Sequence, residues 1–282
     1  MQGITMLIDF KQKFADYVRD YMQQHHIGDE NELDDIAPNL YLEWLDMPQN
    51  WLDGVSPNAF FTAMEPSKLI SMLGQYVLSN ITVPGSLLNC IADGREQTYP
   101  LLISLLKYYS GENEDKLRTI IVQLIEEMDL EHPYDYYIEV IASSSEQSGF
   151  SEACADELRN AGPDYLEAVM NAFENASSAY AADCFLDILT DMPYDERTYD
   201  YAMERFLLCD QHLAFYAQCL GKIGNPQALP ALEEALRREN LRYYDYVAIR
   251  NALEALGGHV DIERDFSGDK DYESLIEMGN TF

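Results

Sequence analysis

Residues 211–258 read QHLAFYAQCLGKIGNPQALPALEEALRRENLRYYDYVAIRNALEALGG, and within them one helical pattern stops, turns and resumes. Leu213, Tyr216, Ala217, Leu220 and Ile223 recur at steps of three and four, which places them on one buried stripe of an α-helix. Gly224 stands where a left-handed residue closes a helix. Asn225 can then accept from the free N–H groups of the next helix, and Pro226 suits a first helical position. Ala228, Leu229, Leu232, Ala235 and Leu236 carry the stripe onto a second helix, where the early Pro230 costs at most one backbone hydrogen bond. A third helix is expected from about Asp245 to Leu256, ended by Gly257-Gly258.

The first and third of these helices end alike. Leu220-Gly221 and Leu256-Gly257 lie 36 residues apart, with Leu213 aligning on Ile249 and Ala217 on Leu253. Helix pairs repeating at that distance predict an α-solenoid, whose units cannot bury their faces alone and therefore stack. The segment LGKIGNPQALPALEEALRRE, residues 220–239, resembles the HEAT-like repeat first described in phycobilisome lyases. YVAIRNALEALGG resembles the helix that opens the next unit, with Arg250 at the motif's usual arginine. The resemblance spans about one and a half repeats, roughly a sixth of the chain. In the first copy Leu213-Ala214-Phe215 supplies no arginine, and Asn240–Tyr244 makes the second link longer than usual. It implies an all-α protein, an α-α superhelix of stacked helical hairpins. On function it implies little, because such repeats serve as scaffolds, lyase subunits and glycosylases alike.

Composition narrows the function classes. The chain has 282 residues, enough for two small domains or one elongated one, and 47% of them are apolar, which is not a disordered composition. Fifty Asp and Glu against 18 Lys and Arg leave a net charge of −32. Binding a nucleic acid needs clustered cations to displace counterions from phosphates, so this balance excludes a nucleic-acid partner and argues against a repeat-type glycosylase. It equally disfavours an anionic membrane surface. No apolar run approaches spanning length, since Leu101–Leu106 is already broken by Ser104, and Asp9, Lys11 and Lys13 interrupt what a secretion signal would need. The expected location is the cytoplasm. Five cysteines (Cys90, Cys154, Cys184, Cys209, Cys219) lack metal-type spacing and read as reduced core residues.

Residues 1–65 are expected to form an acidic helical cap and residues 66–282 the repeat array. The cap holds amphipathic helices over 5–25 (Ile8, Phe14, Tyr17, Val18, Tyr21) and about 32–45. A turn follows at Asp53-Gly54, and Ser56-Pro57 reads as the start of another helix. From Asp20 to Ser67 there are ten acids and no Lys or Arg. Further helices are predicted over 66–79, 84–92, 95–109, 113–128, 133–143, 150–160, 163–175, 178–191, 195–208, 211–224, 226–239, 245–257 and 269–278. Nothing favours strands, because β-branched alternation is absent. The dipeptide Asp-Tyr recurs at 16, 135, 164, 200, 245 and 271, commonly near a predicted helix start, where an aspartate meets free N–H groups.

Twenty tyrosines are this sequence's most unusual feature. Most are expected to wedge between helices with the hydroxyl at the rim. Tyr134, Tyr136, Tyr199, Tyr201, Tyr244 and Tyr246 are the candidate partner-binding surface, where rings and carboxylates together would suit a basic, Arg-bearing peptide. His25-His26 beside Asp29, Glu30 and Glu32 does not make a metal site, because adjacent helical histidines diverge by about 100°. His132, His212 and His259 read as solitary. There is no phosphate loop, G-x-S-x-G elbow, H-E-x-x-H or C-x-x-C, and pairs such as Glu126-Glu127 and Glu233-Glu234 read as solvated faces. Arg237, Arg238, Arg242 and Arg250 form the one basic patch and are expected to neutralise Glu233, Glu234, Glu239 and Asp245. The sequence therefore points to a non-catalytic scaffold or protein-binding module that needs no cofactor, with a basic protein as partner. The alternatives are a subunit of a lyase- or maturation-type enzyme acting on a protein-bound group, and an acidic nucleic-acid mimic.

Overall fold

The computed structural model describes residues 7–27, 30–208, 211–259 and 264–279, with only the backbone of 30–32, 34, 35 and 277–279. The first helices are α1 (Phe10–His25), α2 (Glu30–Asp46), α3 (Pro66–Leu78), α4 (Gly85–Asp93), α5 (Tyr99–Tyr108), α6 (Glu114–Glu127) and α7 (Tyr134–Ser143). They continue as α8 (Gly149–Arg159), α9 (Leu166–Glu174), α10 (Ala179–Thr190), α11 (Glu196–Leu208), α12 (Leu213–Ile223), α13 (Leu229–Leu236), α14 (Tyr243–Ala255) and α15 (Lys270–Gly279). The described residues are thus all-helical. Their one β-type pairing is an isolated bridge between Gln49 and Val55, closed through left-handed Asp53 and Gly54 at the expected turn.

Helices form where the periodicity places them, and their ends follow local chemistry. Gly224 (φ 77°) closes α12, and the Asn225 side chain accepts from Gln227 N at 3.0 Å. Three predicted helices open instead with a 3₁₀ turn, at Arg95–Gln97, Pro163–Tyr165 and Pro226–Ala228. At the N-terminus the predicted start is too early. Asp9 caps α1 by accepting from Gln12 N, which leaves Ile8 outside the helix, with its carbonyl receiving the Tyr76 hydroxyl at 2.9 Å. No helix follows Ser56-Pro57, where successive turns run to residue 63. Phe60 and Phe61 both pack on Phe10, at 6.0 and 5.7 Å, whereas adjacent helical side chains would point about 100° apart.

The chain divides into two compact units, residues 1–136 with 148–153, and residues 137–147 with 154–282. In the first, Leu73, Tyr76, Leu87, Ile91, Leu102, Leu106, Ile121 and Ile125 fill the space among α3 to α6. Phe10, Trp44, Leu52 and Phe61 form its N-terminal core. In the second, α9, α11 and α13 each pack on the helix that follows, and α12 lies against both α10 and α14. The α12–α14 approach is close because Gly221 carries no side chain. A Cβ there would come within 3.0 Å of Ala252 Cα.

Hydrogen bonds between distant helices recur at similar chain separations within each unit. In the first, Asn113 Nδ2 donates to Val77 O and Lys116 Nζ to Asn80 Oδ1, each across 36 residues. In the second the separations are 34 for Ser178 Oγ to Ser144 O, 35 for Lys222 to Asp187 and 33 for the Tyr216 hydroxyl to Asp183.

Candidate partner-binding surface

The six singled-out tyrosines have different surroundings. In the first unit Tyr134, half-buried, stacks on His132 at 5.4 Å, so His132 is not solitary as the sequence suggested. Burial lowers the His132 pKa, against the nearby charge of Glu126, which raises it. Tyr136 donates its hydroxyl to Leu106 O at 3.0 Å, and Lys107 Nζ lies 5.5 Å from its ring centre. In the second unit Tyr199 is buried on α11, while Tyr201 packs edge-on to Phe173 at 4.7 Å. Tyr246 is buried against Phe266 at 5.0 Å. Of the six, Tyr244 is the one left largely in water, 52% exposed. Tyr199 and Tyr246 are therefore core residues, and Tyr134, Tyr136, Tyr201 and Tyr244 retain surface.

The Asp-Tyr pairs at 135, 164, 245 and 271 lie in first turns, whereas those at 16 and 200, and the further pair Asp20-Tyr21, lie inside α1 and α11. Asp245 does not serve its own helix. Its buried carboxylate accepts from Ala214 N in the first turn of α12, at 3.2 Å, and from Arg242 Nε at 2.7 Å. Asp269 similarly accepts from Tyr243 N, at the start of α14, with one oxygen, and from Asp271 N and Tyr272 N with the other. Aspartate here satisfies free N–H groups on a neighbouring helix, a role that spacing along one helix does not show.

Several cations of the second unit are turned onto the chain's own carboxylates. Arg159 of α8 bonds Asp156 and Asp187, and Lys222 of α12 reaches Asp187 at 3.2 Å and Asp191 at 3.4 Å. Burial pushes the Asp187 pKa up, but bonds to Arg159 and Lys222 outweigh it and hold the group below the ordinary carboxylate value. Arg197 bridges Glu167, Glu174 and Asp195. Of the expected basic patch, Arg242 pairs with Asp245 as anticipated, and Arg250 pairs with Glu254, which is outside the expected set of partners. The Arg159–Asp187–Lys222 network was not singled out from the sequence. Its available signal was the i, i+4 pair Asp187/Asp191 followed by a lysine at the repeat distance. Meanwhile Asp200 and Glu204 on α11, and Glu233 and Glu234 on α13, are exposed.

An open groove of about 400 Å³ runs between α3 and α5, lined by Ile70, Leu101, Leu105, Tyr108 and Tyr109 with Ser67 and Ser104. Cys154 and Cys219 are buried thiols outside any disulfide, and Cys90 and Cys184 are partly buried; Cys209 lies outside the described residues. Burial raises the Cys219 pKa far above that of a free thiol. His25 stacks on Tyr21 at 4.1 Å and left-handed His26 caps α1. Asp29 and the side chains of Glu30 and Glu32 lie outside the described residues. Among the described residues no three His, Cys, Asp or Glu groups are placed to hold a metal ion, and no helix is long and apolar enough to cross a membrane.

No protein-family model matches the chain, and no curated protein or solved structure does so either.

Proposed function

We propose that this chain is a non-catalytic scaffold or protein-binding module of HEAT-like helical hairpins, working in the cytoplasm on a basic protein partner. Residues 1–65 act as its N-terminal cap and 66–282 as its repeats. Separations of 33 to 36 residues recur in the bonds between distant segments, beside others of 23 to 32, and support an irregular repeat, because stacked units meet at about one repeat length.

The observation that carries the partner's chemistry is the excess of carboxylates over cations. Arg159, Arg197, Lys222, Arg242 and Arg250 are engaged with the chain's own carboxylates, and fifty acids against 18 Lys and Arg leave a net charge of −32. Such a surface steers a basic partner and repels nucleic acid. Fluorescence anisotropy with an Arg- and Lys-rich peptide, an acidic peptide and duplex DNA tests this. Binding of the basic peptide, weakening steeply with salt, is expected. Equal binding of the acidic peptide or of DNA would overturn the reading.

A further inference from the structure

We propose that α2 and the turn after it form the docking face, and that its occupant is a basic amphipathic helix of a partner protein. The inference rests on the basic-partner reading and locates it. Tyr41 and Leu42 on α2, Met47 just beyond it and Val55 in the turn are large apolar residues that keep exposed surface, Leu42 at 62% and the other three at 38–39%. The fold brings them to one end of α2. Gln49 N donates to Val55 O at 3.1 Å, Asn58 N donates to Leu45 O at 2.9 Å, and Asn58 Nδ2 reaches Asp46 at 2.7 Å. The returning segment is thereby held beside the last turns of the helix.

Exposed apolar groups grouped in this way mark interaction sites more often than scattered ones do. Charge identifies what covers them. Glu43, Asp46 and Asp53 interleave with the apolar side chains, and the whole stretch from Asp20 to Ser67 has ten acids and no Lys or Arg. An acidic partner would gain the apolar contact against like-charge repulsion, and a neutral one would leave the carboxylates without counter-charges. A helix with Leu or Trp on one face and Lys or Arg on its flanks satisfies both parts of the surface. The unit already holds one such contact internally, since Lys13 Nζ sits 5.6 Å from the Trp51 ring centre. Tyr41 belongs to the same aromatic cluster, meeting Phe14 at 4.9 Å and Trp44 at 6.1 Å.

The test uses the full chain and two labelled peptides of equal positive charge and about five helical turns in length. One carries Leu and Trp on a single face, and the other has Ser and Gly there instead. Anisotropy is read for the unaltered chain and for Leu42→Ser and Glu43→Lys, both at exposed positions, with circular dichroism checking that each variant folds. The amphipathic peptide is expected to bind more tightly than the polar one, and each substitution is expected to weaken it at least fivefold. Leu42→Ser should leave binding of the polar peptide unchanged. Amphipathic binding that both variants retain would overturn the location and leave the basic-partner reading intact. Failure of both peptides to bind the unaltered chain would overturn both.

Discussion

Replacing Gly221 with alanine should reveal how tightly α12 and α14 are packed. Glycine inside a helix is unfavourable by about 1 kcal/mol relative to alanine, so the substitution has a built-in gain. Against it stands geometry: the new Cβ would lie 3.0 Å from Ala252 Cα and 3.1 Å from its Cβ. Carbon atoms settle at about 3.5–4.0 Å, so one helix must retreat by at least roughly 0.5 Å. The nearer obstacle is backbone and cannot swing aside. Overpacking of this kind costs about 1–3 kcal/mol, so Gly221→Ala should be neutral to about 2 kcal/mol destabilising, and Gly221→Val worse. Gly74 on α3 is the control, because a Cβ there meets nothing within 4 Å. Gly74→Ala should therefore show the propensity gain alone, stabilising by up to about 1 kcal/mol. Urea denaturation followed by circular dichroism measures both, using the transition of the unit that carries each site. If Gly221→Ala stabilises as much as Gly74→Ala does, the close approach of α12 and α14 is wrong.

Four other outcomes are open to measurement. Tyr246→Ala should cost about 2–4 kcal/mol in denaturation midpoint analysis, because the buried ring packs on Phe266, whereas Tyr244→Ala should stay within about 0.5 kcal/mol. Asp245→Ala should cost about 1–2 kcal/mol by the same assay, through loss of the acceptor for Ala214 N. Asp187 has a pKa held below its unfolded value of 3.8, so its stabilisation is present above that pH and is lost as pH falls through the lower, folded value. Acid unfolding of Asp187→Asn should accordingly show a shallower dependence below about pH 4. Peptide-resolved thiol labelling at pH 8 should leave Cys154 and Cys219 unmodified in the native chain, and rapid labelling of either would contradict their burial.

Local order was legible wherever periodicity and caps agreed. Leu213, Tyr216, Ala217 and Leu220 are all buried, and Gly224, Asn225 and Pro226 each occupy the position their chemistry required. The 36-residue alignment on Leu-Gly was less faithful. Gly257 (φ 83°) is the counterpart of Gly224 (φ 77°), both left-handed closers, which sets those helix ends 33 residues apart. Gly221 lies inside α12 for a different reason, contact with the neighbouring helix. Sequence alone does not separate these two uses of glycine, because one is conformational and the other steric. The N-terminal error is similar: Ile8 fits the helical stripe of α1, yet its carbonyl is committed to Tyr76 on α3.

The tyrosines show the same limit at the candidate surface. Asp-Tyr before a helix reads as one motif, but Tyr246 turns into the core while Asp245 caps α12 across 31 residues, and two positions earlier Tyr244 stands in water. Successive helical positions differ by about 100°, so a two-residue step turns a packing ring to the opposite, exposed side. Residue type alone therefore cannot select the exposed tyrosines. The α2 face is different, because its two components are independent of orientation along one helix. The lack of cations from Asp20 to Ser67 is a property of the sequence, and the exposure of Leu42 is a property of the fold. Where an excess of negative charge and an uncovered apolar side chain coincide, water and small counterions satisfy the first but not the second. A partner that satisfies both must bring its own cations and its own apolar face.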